Sequence, residues 1–293
     1  MSQLQTLYKE HFGMTARPFS GLADAEVIHW GRSQVRAHAA LEYGLMSGAA
    51  FTVLTGAAGS GKTSLLLNLA DHAGDDVRIA LVSGLRRGVG SVLPWILQSL
   101  GEDVAEEAPE TALYTRIQDL LIAEYAAGRR TVLCFDEAQN LSAAALDELR
   151  VLSNINTARD QLLQIVLCGQ VALRDTLRGP EMAGLCQRVA AWGHLDPLDR
   201  ADLEGYVATR LRSAGGPEDM FDAAALDSIL EATGGLPRPV NQLCELALVY
   251  AMTGGGAAIG DAVIAQVLED GLFLPPPRHD TPNRDGRLRL AVG

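Results

Sequence analysis

A stretch of eight residues has the composition and spacing of a loop that binds phosphate. It is a complete G-x-x-x-x-G-K-[ST] sequence made of Gly56, Ala57, Ala58, Gly59, Ser60, Gly61, Lys62 and Thr63, and Ser64 follows it. Its glycines let backbone N–H groups turn toward phosphate oxygens, and a helix that begins at Lys62 directs its positive end at the same anion. We expect Lys62 to contact the β- and γ-phosphates of a nucleotide and Thr63 to bind Mg²⁺ through its hydroxyl. The alternative is an ordinary glycine turn.

Two acidic residues are the second candidate for chemistry. Residues 131–135 form an apolar run typical of a buried strand, and Asp136 and Glu137 follow it directly. Ligands of open α/β sheets bind at the carboxyl ends of the strands, which is where these acids would lie. We expect Asp136 to hold Mg²⁺ through water and Glu137 to act as the general base that polarises an attacking water. Without the phosphate loop (residues 56–63), a pair of solvated acids that begins a turn would explain the pattern equally well.

The elements that must position these residues alternate between strands and helices. Apolar runs predict five strands, and helical periodicity predicts the segments around them. The predicted strands are 51–55, 77–82, 131–135, 162–168 and 189–195, and the predicted helices are 32–46, 62–72, 89–100, 111–127 and 143–154. This alternation is typical of βαβ units, and the nearly continuous apolar character of the strands indicates a sheet covered on both faces. We therefore predict an α/β fold with a parallel sheet between two helical layers.

The strand pattern stops after residue 197 and a helical pattern replaces it. Predicted helices cover residues 200–213, 223–232, 237–252 and 259–268. We predict an N-terminal extension over residues 1–30, an α/β domain over 31–197 and a helical domain over 198–272. Residues 273–293 contain three consecutive prolines and four arginines but few apolar residues, which predicts a disordered tail.

Composition and charge exclude several classes of protein. Hydrophobic residues make up 48% of the 293 residues, which excludes a disordered chain, and no run approaches the roughly 18 apolar residues of a membrane-spanning helix. The formal net charge of −12 disfavours non-specific binding to nucleic acid or anionic lipid. Because the N-terminus lacks the apolar core of a signal peptide, we expect a cytoplasmic protein that is peripheral to the inner membrane only through a partner.

The cysteine and histidine patterns indicate no metal site beyond nucleotide-bound Mg²⁺. The four cysteines form no C-x-x-C pair, and the six histidines lack metal-ligand spacing. Cys134 and Cys168 lie on predicted buried strands, so we expect them to be reduced and to serve packing. Arg86 and Arg87 occupy a glycine-bounded loop after the second strand. This loop either faces an oligomer pore and touches a phosphate backbone or, as the simpler interpretation, is solvated.

Several motifs taken together resemble the AAA+ ATPases. Besides the phosphate loop they are YKEHFGMTARPF at 8–19, LEYG at 41–44, DEAQN at 136–140, a GQ pair within 166–173, QR at 187–188, LDPL at 195–198 and GGLPRPVN at 234–241. Within that superfamily the chain resembles the ExeA-like (general secretion pathway protein A) ATPases and the related exosortase- and transposition-associated ATPases, over roughly residues 8–269. The resemblance implies a P-loop NTPase fold of the AAA+ type, in which the helical domain is a C-terminal lid.

The resemblance also implies ATP and Mg²⁺ as ligands and roles for three more residues. Gln170 corresponds to a polar sensor residue on the fourth strand, which orients the lytic water or contacts the γ-phosphate. Arg188 corresponds to an arginine finger, although a surface ion-pair residue is the alternative, and Arg238 corresponds to the sensor arginine of the lid. A finger of this kind acts on the nucleotide of a neighbouring subunit, so the resemblance implies a homo-oligomeric ring or filament. The adenine pocket is expected between the helix that begins at Arg32 and the lid.

Three functional hypotheses follow from these observations. The first is an ATP-hydrolysing motor that assembles or remodels a partner, in an envelope or secretion-related system and with a membrane-bound partner in another chain. ExeA-like proteins often carry a transmembrane segment and a cell-wall-binding domain after the ATPase, and this chain stops at Gly293 with neither, which weakens the expectation of secretion itself. The second is an ATP-dependent, DNA-binding regulator similar to the transposition ATPases, against which the net charge argues. The third is a slow nucleotide switch.

Overall fold

A five-stranded parallel sheet, in the order β2-β3-β4-β1-β5, forms the centre of the α/β domain. The computed structural model describes residues 10–20, 27–88, 90–105, 108–157, 160–256 and 258–276. The strands are β1 (Phe51–Gly56), β2 (Val77–Val82), β3 (Arg130–Phe135), β4 (Leu163–Gly169) and β5 (Val189–Leu195). All five predicted strands are confirmed, with ends that differ from the prediction by at most one residue.

The register of the sheet aligns the carboxyl ends of its three central strands. Thr55 on β1 pairs with Gly169 on β4, and Phe135 on β3 pairs with Leu167 on the other side of β4. The segments that follow these strands therefore leave the sheet at one edge. They carry the phosphate loop, the two acids and Gln170.

Eleven helices have defined bounds in the described part of the chain. Around the sheet they are α1 (Arg32–Ser47), α2 (Lys62–Asp71), α3 (Leu93–Ser99), α4 (Glu110–Ala126), α5 (Ala143–Leu152), α6 (Val171–Arg178) and α7 (Ala183–Cys186). Beyond the sheet they are α8 (Arg200–Ser213), α9 (Ala223–Thr233), α10 (Pro237–Gly254) and α11 (Asp261–Glu269). Short 3-10 turns at 138–140, 153–155 and 180–182 lie outside any predicted helix or at its end.

Side chains alternate between the two faces of the sheet and bury a separate core on each. Val53 and Phe135 point to the core that α3 to α6 cover, whereas Leu54, Val132 and Val166 point to the core under α1 and α2. All residues of β1 and β4 are buried, which explains their nearly continuous apolar sequences. The predicted three-layer arrangement is confirmed.

Helix α3 begins four residues later than predicted. The predicted helix covered residues 89–100, of which Val89 lies outside the described residues. In the structure the carboxylate of Glu148 on α5 accepts hydrogen bonds from the backbone N–H of Val92 (2.7 Å) and from Oγ of Ser91 (2.9 Å). This contact fixes the start of the helix at Leu93, and a periodicity pattern contains no information about it.

Helices α8 to α11 form a third hydrophobic core that also includes residues from both ends of the described chain. Met14 and Phe19, from the predicted N-terminal extension, are buried among these helices. Phe273 is buried in the same core, so packing continues past the predicted domain end at residue 272. The predicted tail from 277 onward lies outside the described residues. No helix in the described ranges has both the length and the apolar character needed to cross a bilayer.

Cysteines in the sheet serve packing. Cys134 and Cys168 are fully buried between the strands and α1 and α2, and neither forms a disulfide. Burial raises the pKa of the Cys134 thiol to about 12. Such a thiol is not a nucleophile near neutral pH, and the predicted packing role is confirmed.

Candidate nucleotide-binding and hydrolysis site

The phosphate loop connects β1 to the start of α2, as its sequence requires. Gly59 and Gly61 have φ angles of 77° and 96°, in the left-handed region that favours glycine. Gly61 is the last residue before α2, so the loop closes directly onto the N-terminus of a helix. Backbone amides and the positive helix end therefore point into one cradle, which fits an anion.

Lys62 is buried inside this cradle, with only 5% of its side chain surface exposed. Its ammonium group donates to the carbonyl oxygens of Gly56 (3.1 Å) and Ala57 (2.8 Å) in its own loop. Burial lowers the pKa of Lys62, since a desolvated ammonium is disfavoured. Asp136 and Glu137 oppose this lowering of the pKa, and a bound polyphosphate would add opposite charge in direct contact with the ammonium group.

Thr63 and Asp136 bring two oxygen ligands together. Oγ1 of Thr63 donates to Oδ2 of Asp136 over 2.7 Å, although the residues come from different elements, the start of α2 and the end of β3. Asp136 is buried, with 7% exposure. A hydroxyl beside a carboxylate is a hard oxygen donor set, and it fits Mg²⁺ that keeps several waters and binds nucleotide phosphates.

Glu137 occupies an unusual backbone conformation next to Asp136. Its φ of 54° and ψ of 37° are left-handed, and among the described residues it is the only non-glycine with a positive φ. Its backbone N–H donates to Oδ1 of Asp136 (2.9 Å), and its side chain lines the same pocket as Lys62. Such strain is found mostly at functional sites, where neighbouring structure maintains it.

Gln170 lies at the same edge of the sheet, directly after β4 and before α6. Its backbone N–H donates to Oε1 of Gln139 (2.9 Å), and the other end of that amide, Nε2, donates to the carboxylate of Glu137. Gln170 therefore lies at the end of the fourth strand, where the sequence predicted it, and its sensor role stays a prediction. Sequence reasoning assigned no role to Gln139, although it belongs to the DEAQN motif at 136–140.

Arg238 brings the helical domain onto the phosphate loop. Its backbone N–H, in the first turn of α10, donates to the carbonyl oxygen of Gly59 over 3.1 Å, and its side chain lines the pocket. A Cβ atom at Gly59 would lie 2.8 Å from Cβ of Arg238. Glycine at position 59 is thus required twice, for its φ angle and for this close approach of the two domains.

Arg188 lies far from the phosphate loop of its own chain. Its carbonyl oxygen accepts from the N–H of Phe51, at the beginning of β1, and the loop follows the end of that strand. At about 3.3 Å per residue, the length of β1 places the Arg188 backbone about 17 Å from the phosphate loop. The guanidinium donates to Oγ of Ser153 (2.8 Å) and Oδ1 of Asn154 (2.7 Å) after α5. The structure therefore brings together every other residue assigned to the site but leaves Arg188 outside it.

The pocket continues from the phosphate loop to a region between α1 and the helical domain, where an adenine pocket was expected. Residues that sequence reasoning did not identify line it, namely Val27, Ile28, His29, Gln34, Leu195, Tyr206, Arg210 and Asn241. In the described part of the chain, three of the pocket's buried polar atoms have no hydrogen-bond partner: Nε2 of His29, Oε1 of Gln34 and Oγ of Ser60. Nε2 of His29 lies 3.9 Å from the carboxylate of Asp202, beyond hydrogen-bond length. Unpaired buried polar atoms are costly, so these atoms fit a polar ligand.

The sheet order, the loop between β1 and α2 and the acids after β3 define the P-loop NTPase fold of the AAA+ type. Residues 45–177 match the family model described as AAA domain. The chain is 35% identical over 261 residues to General secretion pathway protein A of Aeromonas hydrophila, an alignment that covers 88% of this chain. It spans about half, 48%, of the length of that protein. The expected resemblance to the ExeA-like ATPases is confirmed over this region.

Solved structures share the fold at low sequence identity. The ORC2 protein of Aeropyrum pernix, solved in ADPNP-ADP complexes, has a TM-score of 0.63 at 17% identity and covers 87% of this chain and 71% of its own. Cdc6p of Pyrobaculum aerophilum also has a TM-score of 0.63 at 17% identity, covering 83% and 67%. The RuvB Holliday junction branch migration motor of Thermotoga maritima has a TM-score of 0.51 at 19% identity, covering 82% and 69%. These similarities establish the AAA+ fold.

Proposed function

We propose that this chain binds ATP with Mg²⁺, hydrolyses it, and uses the cycle to assemble or remodel a partner protein. The observation that carries the proposal is the convergence, at one edge of the sheet, of buried Lys62, the Thr63–Asp136 pair and Glu137 in a single pocket. Phosphoryl transfer to water needs positioning, charge neutralisation and a base, and these residues offer one group for each.

The proposed hydrolysis assigns each residue one task. The loop amides and Lys62 hold the β- and γ-phosphates, and Thr63 with Asp136 holds Mg²⁺. When bound, Mg²⁺ neutralises charge on the phosphate oxygens. Glu137 accepts the proton of the attacking water, whose oxygen bonds to the γ-phosphorus as the bond to the β–γ bridging oxygen breaks.

Two further residues complete the proposed cycle. Gln170 orients the water or contacts the γ-phosphate. Arg238, whose backbone already contacts Gly59, would convey loss of the γ-phosphate to the helical domain, which thus serves as a lid. Movement of that lid is the proposed output.

Lys62→Ala tests nucleotide binding. We expect ATP affinity in the presence of Mg²⁺ to fall about 100-fold, because the variant loses a charged hydrogen-bond donor to the phosphates. Isothermal titration calorimetry measures the dissociation constant directly. Arg178→Ala, which removes an exposed cation in the last turn of α6, is the matched control and should bind normally. Equal affinity of wild type and Lys62→Ala would overturn the proposal.

Gln34 supports ATP as the nucleotide. Its buried, unpaired Oε1 is an acceptor that the exocyclic amine of adenine can satisfy, whereas a base with oxygen at that position would face it with a second acceptor. We expect wild type to bind ATP about tenfold more tightly than inosine triphosphate, and Gln34→Leu to bind the two almost equally. Competition against a fluorescent nucleotide gives both constants. An unchanged ratio in Gln34→Leu would remove this residue from base recognition.

The partner is proposed from the similarity to General secretion pathway protein A. That similarity supports an envelope or secretion-related system, in which a membrane-bound protein of another chain would hold this ATPase at the cytoplasmic face of the inner membrane. Because Arg188 lies about 17 Å from its own phosphate loop, its proposed role as a finger requires a ring or filament of subunits.

One observation favours DNA binding as a second candidate function. Arg86 and Arg87 are exposed on the loop between Gly84 and Gly88. Repeated along a filament, they would form a basic track, although the net charge of −12 opposes this. Salt-sensitive binding of duplex DNA in a filter assay, lost on changing both arginines to alanine, would favour this function over the first.

A further inference from the structure

We infer that Gln139 is a positioning residue that orients Glu137 for water activation and connects it to the end of β4. The inference rests on the proposed ATPase function and adds a residue to it. Gln139 belongs to the 3-10 turn at 138–140, immediately after the proposed base. Its side-chain amide uses both of its ends within the site.

The hydrogen bonds of Gln139 fix the direction of its amide. Oε1 accepts from the backbone N–H of Gln170 over 2.9 Å, and Nε2 donates to Oε2 of Glu137. A backbone N–H can only donate and an ionised carboxylate can only accept, so a flipped amide would lose both bonds. A single amide thus connects the proposed base with the proposed sensor segment.

Glu137 has a particular need for such a partner. Its left-handed backbone turns the residue out of the path of β3, and a glutamate side chain has three rotatable bonds to immobilise. The bond to Gln139 occupies Oε2. Since no hydrogen bond to Oε1 is found within the described ranges, that oxygen is available to receive a proton from water. A base oriented by a third group is the general arrangement of activated nucleophiles.

Gly169 provides independent support, because it makes room for Gln139. A Cβ atom at position 169 would lie 2.7 Å from Oε1 of Gln139, 3.0 Å from Cδ2 of Leu173 and 3.1 Å from the backbone nitrogen of Gln139. The φ angle of Gly169 is outside the left-handed region, so alanine would be opposed by these contacts and not by its own backbone. The last residue of β4 is therefore shaped to admit the Gln139 amide.

The test compares Gln139→Met, which keeps the length of the side chain but removes both hydrogen bonds, with wild type. We expect the ATP turnover number to fall 10- to 100-fold, because misplacement of a reacting group by about 1 Å costs that much, while ATP affinity changes less than twofold. Gly169→Ala leaves Gln139 itself unchanged, and it should also reduce the turnover number. Gln164→Met is the matched control: this buried glutamine on β4 bonds to the carbonyl oxygen of Gly44, away from the site, so turnover should stay normal.

A double variant distinguishes positioning from general damage. If Gln139 acts through Glu137, adding Gln139→Met to Glu137→Gln should lower turnover no further. Two results would overturn the inference and leave the ATPase function intact. One is normal or raised turnover in both Gln139→Met and Gly169→Ala while Glu137→Gln is inactive. The other is a full additional loss of turnover in the double variant. Wild type that binds ATP but hydrolyses none would overturn both. Should Gln139→Met fail to fold, Gly169→Ala and Gln139→Asn decide the same question.

Discussion

Glu137→Gln is expected to lower the ATP turnover number about 10³-fold while ATP affinity stays within about threefold of wild type. Glutamine has nearly the shape of glutamate and preserves a partner for Gln139, but its amide cannot accept a proton from the attacking water. The phosphate loop, Lys62 and the Thr63–Asp136 pair, which hold the nucleotide, are unchanged. Steady-state phosphate release measures turnover, and calorimetry measures affinity.

The control for this variant is Glu110→Gln, which neutralises an exposed glutamate in the first turn of α4, outside the pocket. It should hydrolyse ATP at the wild-type rate. Single-turnover measurements with excess enzyme separate chemistry from product release, and the loss should be found in the chemical step. Hydrolysis by Glu137→Gln at the wild-type rate would exclude Glu137 as the base.

Arg188→Ala is expected to reduce turnover about 10³-fold at protein concentrations where subunits associate, with ATP affinity retained. As proposed, the guanidinium of a neighbouring subunit would neutralise the charge that develops on the transferred phosphoryl group. Since Arg188 is about 17 Å from its own loop, wild-type turnover per subunit should rise steeply with protein concentration, and the variant should show no rise.

Mixing two inactive variants tests action between subunits directly. Arg188→Ala retains a complete phosphate site but no finger, whereas Glu137→Gln retains the finger but lacks the base. An equimolar mixture should be far more active than either variant alone, because the finger of one chain completes the site of the other. No gain on mixing, or full activity of Arg188→Ala, would refute the finger. Wild-type turnover that stays slow at every concentration would favour the nucleotide switch.

To act as the proposed finger, Arg188 must also leave its present contacts. In the isolated chain its guanidinium bonds to Ser153 and Asn154, next to the carboxyl end of α5. These bonds involve neutral partners, so a phosphate on a neighbouring subunit would be the stronger acceptor. Assembly would then exchange one set of hydrogen bonds for another.

The sequence predicted the parts of the site that depend on local patterns. The phosphate loop consists of eight consecutive residues, and their types and spacing are enough to predict its conformation. Asp136 and Glu137 directly follow a strand whose apolar sequence predicts that it is buried. The ends of the strands were predicted to within one residue, because apolar runs bounded by turn residues can be identified from the sequence alone.

Features that depend on contacts distant in sequence could not be predicted. Gln139 acquires its role only because β4 ends beside it, 31 residues further along the chain. The pocket between α1 and the helical domain is lined by residues as far apart in sequence as His29 and Asn241, which no spacing rule connects. Likewise the start of α3 depends on Glu148, 56 residues after Val92.

Both ends of the described chain are anchored in the helical domain, through Met14 and Phe19 on one side and Phe273 on the other. Anything tethered to either end would pull on the helical domain. A mechanical load there would act on α10, whose first turn contacts Gly59, and on Tyr206, Arg210 and Asn241, which line the pocket. Tension could then set how readily the nucleotide is held or released.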